Sequence, residues 1–265
     1  IKQAIGDGYN VLVLPGYSLA RALVETCEQY PEVYFIGLDI SEADLQFAAT
    51  QGEGDWWEIP QNVVCATFPE EQAGYLAGYA AVADGYTKLG FLGGMAGVGA
   101  IVNYGYGFVQ GADAAAAEYG RTDVEVTFGY ANQYYSSPEL TAAVSNWYAN
   151  GTEAVFACGG TLWQSVGEAA QAYDGKVIGV DFDQRETIDG AYGEGRTLTS
   201  AVKDLGNTLA NLLSDIYYDD WADIGGRELE YNFVELPRGI SWKFSNFTME
   251  EYDTVYLELK NGIRS

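Results

Sequence analysis

Short apolar runs alternate along the chain with longer stretches whose apolar residues recur at helical spacing. The stretch 18–30 illustrates the second kind, because Leu19, Ala22, Leu23 and Cys27 would lie on one helix face. Runs of strand length and strand composition lie at 11–16, 33–39, 62–68, 88–94, 124–130, 154–160 and 176–181. Regular alternation of this kind predicts an α/β fold with mostly parallel sheets flanked by helices and right-handed crossovers.

Helices are predicted between these strands, and the βα units fall into two groups. The helical stretches are 18–30 with Ser18 as N-cap, 69–85, 107–120, 137–150, 161–174 and a further one that begins at 201. The first lobe is expected to contain 1–66 plus about 201–235, and the second 67–200 plus about 236–265. Two α/β lobes joined by a tail that crosses between them are typical of proteins that close on a ligand.

One strand carries carboxylates at its tip. In the segment KVIGVDFDQ, residues 176–184, an apolar run ends in Asp181, Asp183 and Gln184. Carboxylates are costly to bury unless they are paired, and ligands bind at the carboxyl ends of strands in open α/β sheets. The segment therefore predicts a binding site, although a carboxylate that caps the next helix would produce the same pattern.

The charge and the residue types exclude several kinds of partner and site. The chain has 38 acidic and 13 basic residues, a net charge of −25, which disfavours binding to nucleic acid or to an anionic membrane surface. It has no histidine, which excludes a histidine-based triad or a histidine-ligated metal. Its three cysteines, Cys27, Cys65 and Cys158, have no C-x-x-C spacing and are expected to be buried apolar residues. No apolar run is long enough to cross a bilayer.

Seven segments together carry a resemblance to a known family. They are YPEVYFIGLD, EEQAGYLAGYAA, KLGFLGG, YGYGFVQG, AVFACGGT, KVIGVDFDQ and LTSAVKDLGNTL, and they follow one another in family order. The chain thereby resembles the basic membrane protein family, which comprises substrate-binding lipoproteins of ABC importers with the type I periplasmic-binding fold. Characterised members bind purine nucleosides. The resemblance covers residues 1 to about 215.

The resemblance implies a purine nucleoside, or a related small molecule, held in a cleft between the lobes. Asp181 would accept hydrogen bonds from a ribose diol. Lys203 would donate to a ligand hydroxyl or to Asp181. A lysine at the start of a helix is unfavourable for the helix dipole, so its presence at this position favours a specific interaction of this kind. A solvated lysine is the alternative. Phe156 would lie against the base, unless it packs in the core.

Further contacts are expected from two glycines and from the first lobe. Gly159 and Gly160 would let a ligand approach the backbone, or would simply make the turn. Trp163 would stack on the ligand or cover the cleft mouth. The remaining ligand-binding candidates are Tyr17, Ser18 and Asp39 of the first lobe. The alternative for each is that it starts or caps a helix.

The chain also departs from the family pattern. The strand with an Asp and the Ser-Phe-Asn segment with which members usually begin are absent, so the first lobe is expected to lack its initial strand–helix–strand segment. The insertion 42–61, with Trp56 and Trp57, is longer than usual. Leu162 and Trp163 replace a small-residue turn. We expect an extracytoplasmic protein, lipid-anchored to the cell membrane through an upstream segment, whose macromolecular partner is a permease.

Binding without chemistry is the main functional prediction, with no catalytic residue, no metal and no cofactor. Asp181 with Asp183 or Asp39 offers the alternative of an acid and base for glycosidic-bond hydrolysis. No activated nucleophile is visible, however, and the glycine-rich 93–99 lacks a phosphate-loop lysine and a clear helix start after it. A ligand-sensing receptor domain is the third possibility, because fold does not decide function.

Overall fold

The computed structural model describes residues 1–53 and 56–264 and has the α/β architecture predicted from the sequence. The strands are β1 Val11–Pro15, β2 Tyr34–Leu38, β3 Val63–Thr67, β4 Lys88–Gly93, β5 Glu125–Tyr130, β6 Ala154–Cys158, β7 Lys176–Asp181, β8 Thr197–Lys203, β9 Arg227–Glu230 and β10 Val234–Glu235. The α-helices are α1 Lys2–Gly6, α2 Ala20–Cys27, α3 Glu42–Thr50, α4 Glu70–Asp84, α5 Gly99–Glu118, α6 Pro138–Ala149, α7 Leu162–Tyr173, α8 Arg185–Tyr192, α9 Leu205–Tyr217, α10 Trp221–Ile224 and α11 Met249–Lys260.

The chain forms two compact units. Unit 1 contains 1–68 and 205–233, and unit 2 contains 69–204 and 234–265. The boundary that was expected at about 201 lies between 204 and 205, because residues up to Lys203 complete β8 in the sheet of unit 2. Lys203 therefore ends a strand rather than beginning a helix, and the helix-dipole argument for it does not hold.

Unit 1 is built on a parallel sheet in the order β1-β2-β3-β9. Its core packs Leu23 of α2 and Leu45 of α3 against Phe35, Val63 and Cys65 of the sheet, all without exposed surface. The predicted strand at 33–39 ends one residue early, at Leu38, so that Asp39 stands just beyond the tip of β2.

Unit 2 has a sheet in the order β10-β8-β7-β6-β4-β5, in which only the short β10 pairs antiparallel among the described strands. The chain runs from β4 outward to β5 and then returns to the other side of β4 as β6. This reversal places the topological switch point between β4 and β6, which is the usual ligand site of such sheets.

Helices α4 and α5 pack so closely that their backbones are in contact at glycine residues. A Cβ atom at Gly78 would lie 2.0 Å from the carbonyl oxygen of Phe108, and one at Gly111 would lie 2.0 Å from that of Tyr75. Atoms cannot approach so closely, so glycine is required for this helix spacing. α5 begins at Gly99 rather than near 107, contrary to the prediction that no helix starts after 93–99, and its contacts with α4 lie along the middle of the helix, from Tyr104 to Gly111. Tertiary packing overrides the low helix propensity of its glycines.

Three other local assignments differ from the prediction. A 3₁₀ turn, Tyr17–Leu19, precedes α2, and Ser18 lies inside it without capping α2 by its side chain. The segment 240–245, Ile-Ser-Trp-Lys-Phe-Ser, has the composition of a strand and was expected to form one, but it begins with a 3₁₀ turn, Gly239–Ser241. The helix α11 was missed, although Thr248 and Glu251 form a capping box at its start.

The predicted insertion 42–61 contains a regular helix over much of its length. Ser41 caps α3 by accepting from the backbone of Asp44, whose carboxylate bonds back to Ser41. The amide of Gln46 binds the backbone of Trp57 in both directions and so fastens the end of the insertion to α3. Residues 54 and 55 of this stretch lie outside the described part of the chain.

Candidate ligand-binding site

Four of the predicted ligand residues of unit 2 are brought together at the carboxyl edge of its sheet. Gly159 and Gly160 follow β6, Asp181 ends β7 and Lys203 ends β8. Because these strands are parallel neighbours, their ends meet on one edge beside the switch point. We refer to Asp181, Lys203, Gly159 and Gly160 as the unit 2 edge.

Asp181 occupies a sharp backbone turn. Its φ is 67°, and the backbone N–H of Phe182 donates to the carbonyl of Val180 across it at 2.8 Å, which defines a γ-turn with positive φ. Such turns are strained and persist where the surroundings impose them. Buried Gln184 provides this support by accepting from the N–H of Val180 at 3.0 Å, while its own N–H donates to Ser200.

The turn leaves the side chain of Asp181 39% exposed, whereas the side chain of Lys203 is only 2% exposed. The Lys203 Nζ lies 3.5 Å from Asp181 Oδ1 and 3.4 Å from Glu70 Oε1. It also lies 5.2 Å from the centre of the Tyr104 ring, within reach of a cation–π interaction. The buried ammonium thus lies within ion-pair distance of two carboxylates and beside an aromatic ring. A buried charge is costly unless it is paired in this way.

Cys158, at the end of β6, lies in the electrostatic field of Asp181, Lys203 and Glu70. Its thiol is fully buried, and burial raises its pKa well above the ordinary value. The negative charges of Asp181 and Glu70 raise it further, and the positive charge of Lys203 acts in the opposite direction. The thiol is therefore uncharged and adds no reactive group to the unit 2 edge.

The two glycines after β6 are constrained by Tyr134. Gly159 has φ 129° and Gly160 has φ 52°. A Cβ atom at Gly159 would lie 2.9 Å from the Tyr134 ring, and one at Gly160 would lie 2.2 Å from the Tyr134 carbonyl oxygen. The glycines therefore make the turn and admit Tyr134 against the switch point, and the Thr161 N–H holds its carbonyl at 2.7 Å.

Phe156 and Trp163 differ in their access to a ligand. Phe156 has no exposed surface and packs edge-to-face on Phe91 and Tyr104, with ring centres 5.4 and 5.7 Å away. Phe156 therefore packs in the core, which was the alternative to ligand contact. Trp163 is half-buried, near the start of α7, with its ring centre 6.2 Å from that of Tyr192.

The predicted residues of unit 1 lie at the carboxyl ends of its own neighbouring strands. Tyr17 and Ser18 follow β1 and are exposed, and Asp39 follows β2 with φ 61°. The N–H of Gly16 donates to Leu38 at 2.8 Å, which ties the two strand ends together. Asp39 directly follows β2 and Asp181 ends β7, in the related sequences Ile-Gly-Leu-Asp and Ile-Gly-Val-Asp, and both residues have positive φ.

Sequence comparison places the chain in a family. The sequence model for PnrA-like ABC transporter substrate-binding proteins, abbreviated Bmp, matches residues 1–255. The chain belongs to this family. Its members are substrate-binding proteins of ABC transporters rather than enzymes, and the hydrolase alternative is therefore set aside.

Curated relatives carry the name of the predicted family. The ABC transporter nucleoside-binding protein BmpA of Lactococcus lactis is 26% identical over 96% of this chain and 69% of its own length. Basic membrane protein B of Borreliella burgdorferi is 28% identical over 90% of this chain and 65% of its own length. The chain thus spans about two thirds of the length of these relatives.

Solved structures show the same fold. An ABC transporter solute-binding protein from Conexibacter woesei superposes with a TM-score of 0.73 at 21% identity, over 99% of this chain and 81% of that chain. One from Aeropyrum pernix gives a TM-score of 0.67 at 17% identity, over all of this chain and 73% of that chain. The expectation of a type I periplasmic-binding fold is confirmed by these similarities.

Two neighbours of the unit 2 edge were not identified from the sequence. Glu70 stands in a first helical turn, where acids are ordinary, so only its burial and its distance from Lys203 distinguish it. Tyr134 stands in a loop rich in tyrosine and serine without periodicity. Asp183, by contrast, accepts from the Arg185 N–H at 3.1 Å and from the Ser241 hydroxyl. It does not cap α8, whose N-cap residue is Gln184, so its contacts hold the turn that precedes this helix.

Proposed function

We propose that this family member captures a purine nucleoside, or a related small molecule with a vicinal diol, and passes it unchanged to the permease of an ABC importer. The support is twofold. The family comprises substrate-binding proteins, and the Lactococcus relative is named a nucleoside-binding protein. Identity to that relative is 26%, so the ligand assignment depends on the residues of this chain.

The observation that carries the proposal is the position of the Asp181 carboxylate. It stands partly exposed at the carboxyl edge of the sheet, on a turn held by Gln184, with the buried Lys203 ammonium behind it. A carboxylate accepts two hydroxyl hydrogen bonds side by side, which matches the 2′ and 3′ hydroxyls of a ribose. Lys203 holds the carboxylate in its charged form and limits its rotation, so this acceptor pair is organised before a ligand arrives.

The remaining predicted contacts complete the proposal. Trp163 is proposed as the aromatic surface for a purine base. Tyr17, Ser18 and Asp39 are proposed as the contribution of unit 1. An extracytoplasmic location and a lipid anchor upstream of this chain are proposed from the family. Among residues 1–53 and 56–264, no helix has the length and apolarity needed to cross a bilayer.

Calorimetric titration of the protein with inosine, guanosine and adenosine tests the proposal. Free ribose and free hypoxanthine serve as matched partial ligands, because each lacks one half of the nucleoside. We expect saturable binding of at least one nucleoside and much weaker binding of both halves. Chromatography of the ligand after incubation should recover it intact. Absence of binding by all three nucleosides would contradict the proposal, and cleavage would contradict binding without chemistry.

A further inference from the structure

Glu70 is the least exposed carboxylate beside the unit 2 edge. It is the first residue of α4, the residue as a whole is 5% exposed, and its side chain is 7% exposed. An acid in a first helical turn is usually solvated and stabilises the helix only through the dipole. Burial of this carboxylate is costly, so its position needs an explanation beyond the helix.

The explanation lies in the neighbours of Lys203. Glu70 on α4 and Asp181 on β7 both lie within ion-pair distance of its ammonium, and the Tyr104 ring on α5 lies beside it. The uncharged thiol of Cys158 on β6 is close enough to sense its charge. Of the two carboxylates, Asp181 is partly exposed and Glu70 is not. A carboxylate shared with a ligand, or screened by water, compensates a buried ammonium incompletely.

We propose that Glu70 is a positioning residue, which holds the Lys203 ammonium charged and directed at Asp181 without itself contacting the ligand. This inference builds on the proposed function, in which Asp181 binds the ligand. Glu70 supplies the lasting counter-charge, so that Asp181 can turn its oxygens to ligand hydroxyls while Lys203 remains paired. The helix α4 fixes Glu70, since its backbone is locked to α5 through the glycine contacts.

The variant Glu70→Gln tests this role, because it keeps the side-chain volume and an acceptor oxygen but removes the charge. Loss of a neighbouring negative charge makes a buried ammonium easier to deprotonate. We expect nucleoside affinity about tenfold weaker near neutral pH, the size of one lost charge-assisted interaction. The deficit should grow between about pH 7 and about pH 9.5, whereas the parent protein should hold its affinity better over that interval.

Two further variants separate positioning from a merely structural role. Glu70→Asp keeps the charge one methylene farther away and should recover part of both the affinity and the alkaline pH profile. Glu71→Gln removes the same charge from the next residue of the same helical turn, and it should leave affinity and pH profile unchanged. If Glu70→Gln fails to fold, the comparison of Glu70→Asp with the parent still measures the effect, as a smaller change in the same direction.

A measurement without ligand distinguishes failure of this inference from failure of the proposed function. The side-chain NMR signal of Lys203, followed through a pH titration, reports directly where its ammonium loses the proton. That pH should be lower in Glu70→Gln than in the parent protein. If it is lower but no nucleoside binds the parent, the proposed ligand is wrong and the positioning role stands. If it is the same in both proteins, or if Glu71→Gln lowers it equally, the positioning role is wrong.

Discussion

The Nζ atom of Lys203 lies 3.5 Å from Oδ1 of Asp181, at the ends of two adjacent parallel strands. Because Asp181 has a positive φ, its side chain projects from a turn, while Lys203 stays buried in the sheet. The pair therefore combines a buried donor with a partly exposed acceptor. Each of the two residues has a neighbour that supports it, Gln184 for the turn and Glu70 for the ammonium.

Asp181→Asn should weaken nucleoside binding between tenfold and a thousandfold, because each charged hydrogen bond contributes roughly 1.5–3 kcal/mol. Asparagine is chosen over alanine because it tolerates positive φ. Calorimetry measures the loss, and the melting temperature without ligand should barely change. The matched control is Asp183→Ala, two residues away, which should retain affinity but unfold more easily, since its carboxylate accepts from Arg185 and Ser241. If Asp183→Ala lost affinity and Asp181→Asn lost only stability, Asp183 rather than Asp181 would be the ligand-binding carboxylate.

Gly111→Ala should destabilise unit 2 by about 3 kcal/mol or more, because the new methyl group would collide with the backbone oxygen of Tyr75 and force α4 and α5 apart. Gly190→Ala in α8 is the control, since a Cβ atom at that position would meet no other atom within 4 Å. It should be neutral or stabilising by up to about 1 kcal/mol. Urea unfolding of both variants measures the difference, and equal midpoints would show that the helices tolerate a wider spacing.

Asp84→Ala should destabilise unit 2 by about 3 kcal/mol. The buried carboxylate of Asp84 accepts from the backbone N–H groups of Ser245, Asn246 and Phe247, which attaches that segment to the end of α4. Removal leaves these donors without their acceptor. The exposed Asp113 of α5 provides the control, because Asp113→Ala should change the free energy of unfolding by no more than about 0.5 kcal/mol. Similar effects of the two substitutions would refute the role of Asp84.

Arg264→Gln should lower stability at neutral pH and lose its effect in acid. The Arg264 guanidinium donates to Glu118 and lowers the pKa of that carboxyl below its ordinary value. A lowered folded-state pKa contributes stability above the unfolded value, and this stability is lost as the pH falls through the folded value. The gap in melting temperature between parent and variant should therefore narrow between about pH 7 and about pH 3.

Arg21→Gln is the control for this charge effect, because the Arg21–Glu25 pair is largely exposed on both sides. Exposed pairs of this kind contribute little, so the variant should melt close to the parent at every pH. A gap for Arg264→Gln that stays constant with pH would assign its effect to lost packing on the Tyr79 ring, whose centre lies 5.0 Å from the guanidinium carbon.

The three thiols should react slowly with a disulfide reagent in the native protein and completely in denaturant. Cys27, Cys65 and Cys158 are buried. Burial raises the pKa of Cys27 to about 11 and that of Cys65 further, so little thiolate exists near pH 8. Absorbance of the released reagent counts the thiols under both conditions. Rapid reaction of any native thiol would show that its unit opens under these conditions.

The sequence by itself determined the class of fold and most elements of regular structure. The strand 176–181 and the helices near 137–150 and 161–174 were predicted within a residue or so of β7, α6 and α7. These elements carry their signal locally, in apolar periodicity and in cap residues, which a short window of sequence contains in full. Asp181 could be selected for the same reason, since a carboxylate directly after a buried strand is visible without knowledge of its neighbours.

Only the tertiary structure decided which groups meet. Glu70 and Lys203 are 133 residues apart, and nothing near either residue indicates the other. The close packing of α5 depends on the backbone of α4, and the burial of Phe156 depends on rings from other elements. Lys203 was assigned to a helix because the residues around it are compatible with a helical and with a strand pattern. In the structure these residues pair with β7 and form the strand β8. Such outcomes depend on contacts between distant segments, which local periodicity does not encode.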